Sequence, residues 1–119
     1  MSRQGLGRAG EAIARACYEA AGYEILAERY RRGRGELDLV VARGDLVAFV
    51  EVKTRRGDRC GDAASGVTPL KLRRMRGTAR RFLDENPRRR ARIFRFDVAA
   101  VDFSPDLGDC RVTILRGVL

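Results

Sequence analysis

The sequence predicts one α/β domain, built from a mixed β-sheet that is flanked by helices. Three observations support this fold class: an N-terminal segment with helical apolar spacing, three consecutive strand-like runs, and a second amphipathic helix followed by two further strands. The predicted order is an αβββαβ core with an added C-terminal strand. A chain of 119 residues suits one compact domain, which we expect to cover residues 1–119.

The N-terminal half begins with a helix predicted over residues 5–21, because apolar residues recur there at three- and four-residue intervals. Its expected buried stripe contains Leu6, Ala9, Ile13, Cys17 and Ala20. Gly22 is a suitable stop for this helix, and residues 23–29 then favour a strand. The arginines and glycines of residues 30–35 predict a basic loop.

Two apolar runs, residues 36–43 and 46–53, predict a β-hairpin that turns at Gly44-Asp45. Residues 54–67 predict a charged loop. Residues 93–101 and 110–115 predict the last two strands.

The second helix is expected to begin at Thr68 and Pro69, with threonine as the N-cap and proline in the first helical position. Asn86-Pro87 ends it, because the residue before a proline resists helical geometry. Its expected buried stripe contains Leu72, Met75, Ala79, Phe82 and Leu83.

The charge of the chain restricts its function. Lysine and arginine total 25 against 16 acidic residues, which gives a net charge of +9. Such a surplus favours a polyanionic partner, most often nucleic acid. Because almost all of these cations are arginines, the bias of a GC-rich genome is an alternative source of the charge. The chain has no histidine, which excludes Ser-His-Asp catalysis and histidine metal sites.

Cysteine usage indicates a reduced, cytoplasmic protein. Cys17, Cys60 and Cys110 are odd in number and form no Cys-x-x-Cys pair, which argues against a zinc site and a secreted disulfide scaffold. No apolar run approaches the roughly 18 residues of a membrane span, so we expect no membrane partner.

The hairpin carries the candidate chemistry. With a two-residue turn, Asp38 faces Glu51 and Glu36 faces Lys53, all on one face of the sheet. Two carboxylates about 5 Å apart repel by roughly 3 kcal/mol at an effective dielectric of 20. A hard cation such as Mg²⁺, with Mn²⁺ as a substitute, would reverse that repulsion. The alternative is a pair of solvated acids, with Glu51 and Lys53 as an exposed ion pair worth about 0–1 kcal/mol.

The spacing of Asp38, twelve further residues and Glu51-Val52-Lys53 resembles the signature of the PD-(D/E)XK nuclease superfamily. More specifically, the chain resembles the YraN family of small bacterial proteins. The matching stretches are Gly10-Glu11, Gly22-Tyr23-Glu24-Ile25-Leu26, Gly35-Glu36-Leu37-Asp38-Leu39, Phe49-Val50-Glu51-Val52-Lys53-Thr54-Arg55, Val67-Thr68-Pro69 with Lys71, and Arg95-Phe96-Asp97-Val98. Together they spread over nearly the whole chain. The sequence departs from the pattern at Cys60-Gly61, where an aromatic residue is expected before the glycine.

The resemblance implies a restriction-endonuclease-like fold and an activity similar to that of archaeal Holliday junction resolvases, which are dimeric Mg²⁺-dependent endonucleases. Asp38 and Glu51 would be metal ligands, together with the Val52 carbonyl. Lys53 would be the catalytic lysine, and Glu11 the first-helix acid near the metal. The implied partners are branched or structured DNA and a second copy of the chain.

The basic residues supply candidate contacts to a phosphate backbone, without reading of bases. They are Arg31, Arg32, Arg34, Arg55, Arg56, Arg59, Lys71, Arg73 and Arg74. We expect Glu36 to be a partner of Lys53, and Arg95 with Asp97 to form a structural ion pair. Two alternatives to an endonuclease remain: a nucleic-acid-binding module with a weak or inactive site, and a small adaptor for an acidic protein.

Overall fold

The computed structural model describes residues 1–57, 66–87 and 91–118, in which two helices flank a five-stranded mixed sheet. The elements are α1 (Arg3–Ala20), β1 (Glu24–Arg32), β2 (Gly35–Arg43), β3 (Leu46–Arg56), α2 (Pro69–Glu85), β4 (Ile93–Phe103) and β5 (Cys110–Leu115). The strands lie in the order β1-β2-β3-β4-β5. All neighbours are antiparallel except β3 and β4, whose parallel pairing follows the crossover through α2. The predicted fold class and element order are confirmed.

The sheet has one core on each face. The core beneath α1 contains Ala14, Tyr18, Tyr23, Leu39, Val41, Ala48, Val50, Ala99 and Val101. The core beneath α2 contains Tyr30, Leu37, Val40, Ala42, Val47, Phe49, Met75, Ala79 and Phe82. Both faces of β2 and β3 are therefore covered, which is why these central strands are almost continuously apolar.

The buried line of α1 differs from the predicted stripe. The helix buries Gly10, Ala14 and Tyr18, whereas Cys17 is half-buried and Ala20 is exposed. Close approach of the backbone decides this orientation, because a Cβ on Gly10 would lie 1.9 Å from the Thr54 hydroxyl oxygen. As a result, the following residue of the helix, Glu11, lies beside the sheet rather than away from it.

The basic loop predicted over residues 30–35 is wrong. Strand β1 continues to Arg32 and β2 begins at Gly35, so only a two-residue turn separates them. Tyr30 is buried against the ring of Phe82, and the Arg32 guanidinium stacks over the ring of Tyr30. These tertiary contacts override the low strand propensity of an arginine- and glycine-rich segment.

The start of α2 agrees with the prediction, since the Thr68 side chain accepts the Lys71 backbone N–H at 3.1 Å. The helix buries Met75, Thr78, Ala79 and Phe82, with Leu83 partly buried beside them. Leu72, the remaining member of the predicted stripe, is half-buried. Asn86 ends the helix as expected.

Strands β3 and β4 are longer than predicted. They pair in parallel from Leu46 and Ile93 to Arg56 and Phe103, so the expected loop from residue 54 begins only after β3 ends. Two residues singled out in the sequence, Arg59 and Cys60, lie outside the described residues. Among the described helices, neither combines the length and apolar character that a membrane crossing requires.

Candidate active site

The β2–β3 hairpin has the predicted register as far as its ladder extends. Pairing runs from Arg43 opposite Leu46 to Leu39 opposite Val50, and then stops. The next pair would be Asp38 with Glu51, so the expectation of two directly opposed acids in a regular ladder is wrong. Instead, Asp38 reaches across to β3, where its Oδ2 accepts the Val52 N–H at 2.7 Å.

Asp38 lies where the side-chain alternation of β2 is interrupted. Leu39 packs in the core beneath α1, but Leu37 packs in the core beneath α2, although a regular strand would place both on one face. On the neighbouring strand β1, Arg29 lies between the residues that pair with Leu39 and Leu37, and it has a positive φ of 49°. The side chain of Asp38 consequently lines clefts on both sides of the opening between β2 and β3.

The first cleft opens beneath the N-terminus of α2 and has a volume of about 380 Å³. Asp38 and Glu51 both line it, so the structure brings the two predicted acids together. The Glu51 carboxylate is only 9% exposed, and its Oε1 contacts the Lys71 ammonium from the first turn of α2. Lys53 lies on the same side, with its Nζ 3.7 Å from the same oxygen. One carboxylate oxygen thus faces two ammonium groups.

The second cleft lies beneath the N-terminal half of α1, with a volume of about 500 Å³. Glu11, Glu36 and Asp38 line it together, so the first-helix acid does converge on the same aspartate. Glu11 is held by Arg29, whose Nε lies 2.8 Å from its Oε2. The placement of Glu11 follows from the buried line of α1, which the helical pattern of the sequence did not indicate.

The electrostatics of the two clefts oppose ionisation of Asp38. Burial, followed by the negative charge of Glu51, raises the pKa of Asp38 to about 7, although the Val52 N–H lowers it. Burial, followed by the charge of Lys71, lowers the pKa of Lys53. Burial, the largest single effect, lowers the pKa of Lys71, but its hydrogen bond to Glu51 and the negative charges of Glu51 and Asp38 together leave the pKa raised.

The residues present fit a hard divalent cation. Asp38 and Glu51 offer carboxylate oxygens to one cleft, and two carboxylates with several waters are a common protein share of a Mg²⁺ site. Burial and the charge of Glu51 raise the pKa of Asp38, so a bound cation would relieve the repulsion between the two carboxylates. Within residues 1–57, 66–87 and 91–118, no three His, Cys, Asp or Glu side chains form a metal-binding group. Backbone and water oxygens would therefore complete the shell, and the Val52 carbonyl stays a predicted ligand.

Glu36 is not the partner of Lys53 that the hairpin alignment predicted. Its backbone pairs with Arg31 on β1, and its Oε1 lies 3.0 Å from the Nε of the same arginine. The reason is again the divergence of β2 from β3, which leaves Glu36 on the β1 side.

The predicted phosphate contacts divide into residues at or near the two clefts and arginines that bind protein groups elsewhere. Arg34, Lys71 and Arg74 line the cleft beneath α2, and Arg31 lines the cleft beneath α1. Arg73 is exposed on α2.

The remaining described arginines of that set bind protein groups elsewhere. Arg32 binds Glu85, Arg55 binds Asp102, and Arg56 donates to the Pro105 carbonyl.

Sequence reasoning missed two arginines and one contact at this site. Arg8 and Arg29 line the cleft beneath α1, but neither stands in a pattern that distinguishes it from other surface arginines. The contact between Lys71 and Glu51 was also missed, because it joins α2 to β3 across the cleft. The position of Lys71 in the first turn of a capped helix was the available signal.

Arg95 and Asp97 form the expected structural ion pair, with the Arg95 Nε 2.7 Å from the Asp97 Oδ1. Asp97 is fully buried and also accepts the Tyr18 hydroxyl at 2.8 Å and the Gly117 N–H at 3.0 Å. This network lies under α1 and lines none of the clefts around Asp38 and Glu51 described above.

Comparison with known proteins gives one consistent family. The family model described as "Uncharacterised protein family UPF0102" matches residues 10–101. A UPF0102 protein of Frankia casuarinae is 44% identical over 116 residues, which cover 98% of this chain and 97% of the relative. A UPF0102 protein of Beutenbergia cavernae is 42% identical, with 98% of each chain covered. One of Rhodococcus opacus is 46% identical, with 81% and 80% covered.

Proposed function

The chain belongs to the UPF0102 family, and we propose that it is a Mg²⁺-dependent endonuclease that hydrolyses phosphodiester bonds in branched or structured DNA. The observation that carries the proposal is the pair of Asp38 and Glu51 in one cleft, where burial and mutual repulsion hold the pKa of Asp38 at about 7. Two acids that share a cleft and raise the pKa of one of them are typical of functional sites, where a bound cation compensates their repulsion.

Asp38 and Glu51 would hold the ion, and the Val52 N–H fixes the direction of the Asp38 carboxylate. Bound Mg²⁺ would supply charge neutralisation to the scissile phosphate and lower the pKa of the attacking water. In hydrolysis, water adds to phosphorus, the bond to the leaving oxygen breaks, and that oxygen gains a proton. Lys53 lies beside Glu51, with its Nζ 3.7 Å from the Glu51 Oε1, and its ammonium would stabilise the growing negative charge on the phosphate.

The substrate class follows from the distribution of charge around the clefts. Arg34 and Arg74 border the acids on one side, whereas Arg8 and Arg31 border them on the other. Cations on both sides of the acids suit a phosphate backbone that crosses Asp38, and they favour backbone binding over base reading. A branched substrate with two related strands also calls for two sites, so we propose that a homodimer acts, in the cytoplasm.

The activity is tested by nicking of synthetic four-way junctions and flaps, with Mg²⁺ and with Mn²⁺. We expect wild type to cleave, and Asp38→Asn, Glu51→Gln and Lys53→Gln each to reduce the rate about 100-fold or more, since each removes an ion ligand or a charge at the phosphate. Asp84→Asn is the matched control, because Asp84 is an exposed acid late in α2, and it should leave the rate unchanged.

Two results would contradict the proposal: no cleavage by wild type, or equal cleavage by wild type and Asp38→Asn. Salt-dependent DNA binding without cleavage would indicate a nucleic-acid-binding module instead. Capture of an acidic protein without any DNA binding would indicate an adaptor. Light scattering of the complex with junction DNA measures the oligomeric state. A monomer in that complex would contradict the proposed homodimer, because paired cleavage needs two sites.

A further inference from the structure

One oxygen of Glu51 is the meeting point of two lysines from different elements. Lys53 comes from β3 itself, at 3.7 Å, while Lys71 comes from the first turn of α2 and is in direct contact. Two positive charges therefore crowd one carboxylate oxygen. Glu51 is nearly buried, so solvent does not screen this crowding well.

The contact to Lys71 conflicts with metal binding at the same carboxylate. A divalent ion on Glu51 would add two positive charges next to two ammonium groups around one buried carboxylate. Lys53 is fixed to the strand that carries Glu51, and its side chain is 28% exposed. Lys71 is the more exposed cation, since its side chain is 38% exposed and reaches Glu51 from α2, outside the sheet.

We propose that Lys71 is a built-in competitor for the metal site, whose ammonium must leave Glu51 when a divalent ion binds. This inference rests on the proposed function only in assuming that Glu51 is a metal ligand. Lys71 lines the cleft that Arg34 and Arg74 also line. Once displaced from Glu51, its ammonium would bind a substrate phosphate there. Lys71 then stabilises Glu51 before metal entry and contacts the substrate afterwards.

The experiment measures Mg²⁺ affinity by calorimetry, on DNA-free protein that has been stripped with EDTA. Lys71→Gln should bind Mg²⁺ about fivefold more tightly than wild type, because the ion then no longer displaces a half-exposed ion pair, and a fivefold change corresponds to the free energy of one such pair. Lys71→Arg keeps a cation on the helix and should bind as wild type does. Arg74→Gln is the matched control, because it removes one positive charge from the same cleft, and we expect it to change the affinity less than twofold.

A second readout uses thermal unfolding with and without Mg²⁺. The rise in Tm on adding Mg²⁺ should be larger for Lys71→Gln than for wild type or Arg74→Gln, because tighter binding gives greater stabilisation. If Mg²⁺ binds wild type but Lys71→Gln and Arg74→Gln gain equally, the competition is wrong while the metal site stands. If Mg²⁺ binds none of the four proteins, both this inference and the proposed function fail.

Discussion

Asp97 on β4 is fully buried and Asp38 on β2 is half-buried in the same sheet, but the charges that surround the two acids differ in sign. Asp97 is fully buried and receives two hydrogen bonds from Arg95, at 2.7 and 2.8 Å, and further ones from Tyr18 and Gly117. Its negative charge is therefore matched by a cation and by neutral donors.

Asp38 receives a hydrogen bond from Val52, and the negative charges of Glu51, Glu11 and Glu36 all oppose its ionisation. Burial, followed by these negative charges, raises the pKa of Asp38 to about 7. The comparison teaches that burial of an acid does not by itself indicate function. The neighbouring groups distinguish the two roles. Hydrogen-bond donors and a cation around the acid make a structural network, as at Asp97, whereas other acids around it make a site that needs an external cation, as at Asp38.

The largest expected effect is the loss of stability when the charge of Asp97 is removed. Asp97→Asn removes the charge that neutralises Arg95, whose side chain is only 19% exposed, and should cost about 3–5 kcal/mol of unfolding free energy. Urea denaturation measures this loss. Asp102→Asn is the matched control, since Asp102 lies on the same strand and pairs with Arg55 nearer the surface, and it should cost about 1 kcal/mol. Equal losses in the two variants would remove the distinction.

A smaller effect is expected from the pH dependence of stability at the other acid. The pKa of Asp38 is raised from 3.8 to about 7, so the folded protein binds this proton more tightly than the unfolded chain does. Stability from this group is therefore present at low pH and is lost as the pH rises from about 4 to about 7. Raising the pKa this far corresponds to about 4 kcal/mol when the group is fully shielded from solvent. Asp38 is only half-buried, so Asp38→Asn, which lacks this titration, should gain about 2 kcal/mol relative to wild type over that interval.

Urea denaturation of wild type and Asp38→Asn at a series of pH values separates this contribution from the titration of the other carboxylates, which both proteins share. A difference between the two proteins that stays constant with pH would show that Asp38 titrates normally. Saturating Mg²⁺ should reduce the difference, because the ion neutralises the repulsion.

The smallest expected effect concerns one hydrogen bond of the Asp97 network. Tyr18→Phe removes the hydroxyl that donates to Asp97 at 2.8 Å in the core, and should cost about 1.5 kcal/mol by urea denaturation. Tyr30→Phe removes a comparable hydroxyl, which donates to the exposed Glu85 at 2.7 Å, and should cost about half as much or less. A larger loss in Tyr30→Phe would mean that the Asp97 network does not depend on Tyr18.

The local elements were largely predictable because their signals are local. The turn at Gly44-Asp45 fixes which residues of the hairpin pair. The alternation of side chains along β3 places Glu51 and Lys53 on one side of that strand. Thr68 and Pro69 fixed the start of α2 in the same way.

The arrangement of the site was less predictable, because it depends on an irregularity. A regular ladder would oppose Asp38 and Glu51 directly, but β2 leaves β3 after Leu39 and follows β1. The low strand signal of residues 30–35 concealed that β1 continues there. No periodicity in the sequence reports where two strands separate.

The sequence by itself determined the element order, the hairpin register and the presence of Asp38, Glu51 and Lys53 on adjacent strands. These features follow from turn chemistry, capping and alternation, which act over a few residues. Only the tertiary structure decided that Glu11 approaches Asp38 and that Lys71 contacts Glu51. Both depend on how closely a helix lies on the sheet, and that distance is set by packing between residues far apart in the chain, such as Gly10 against Thr54.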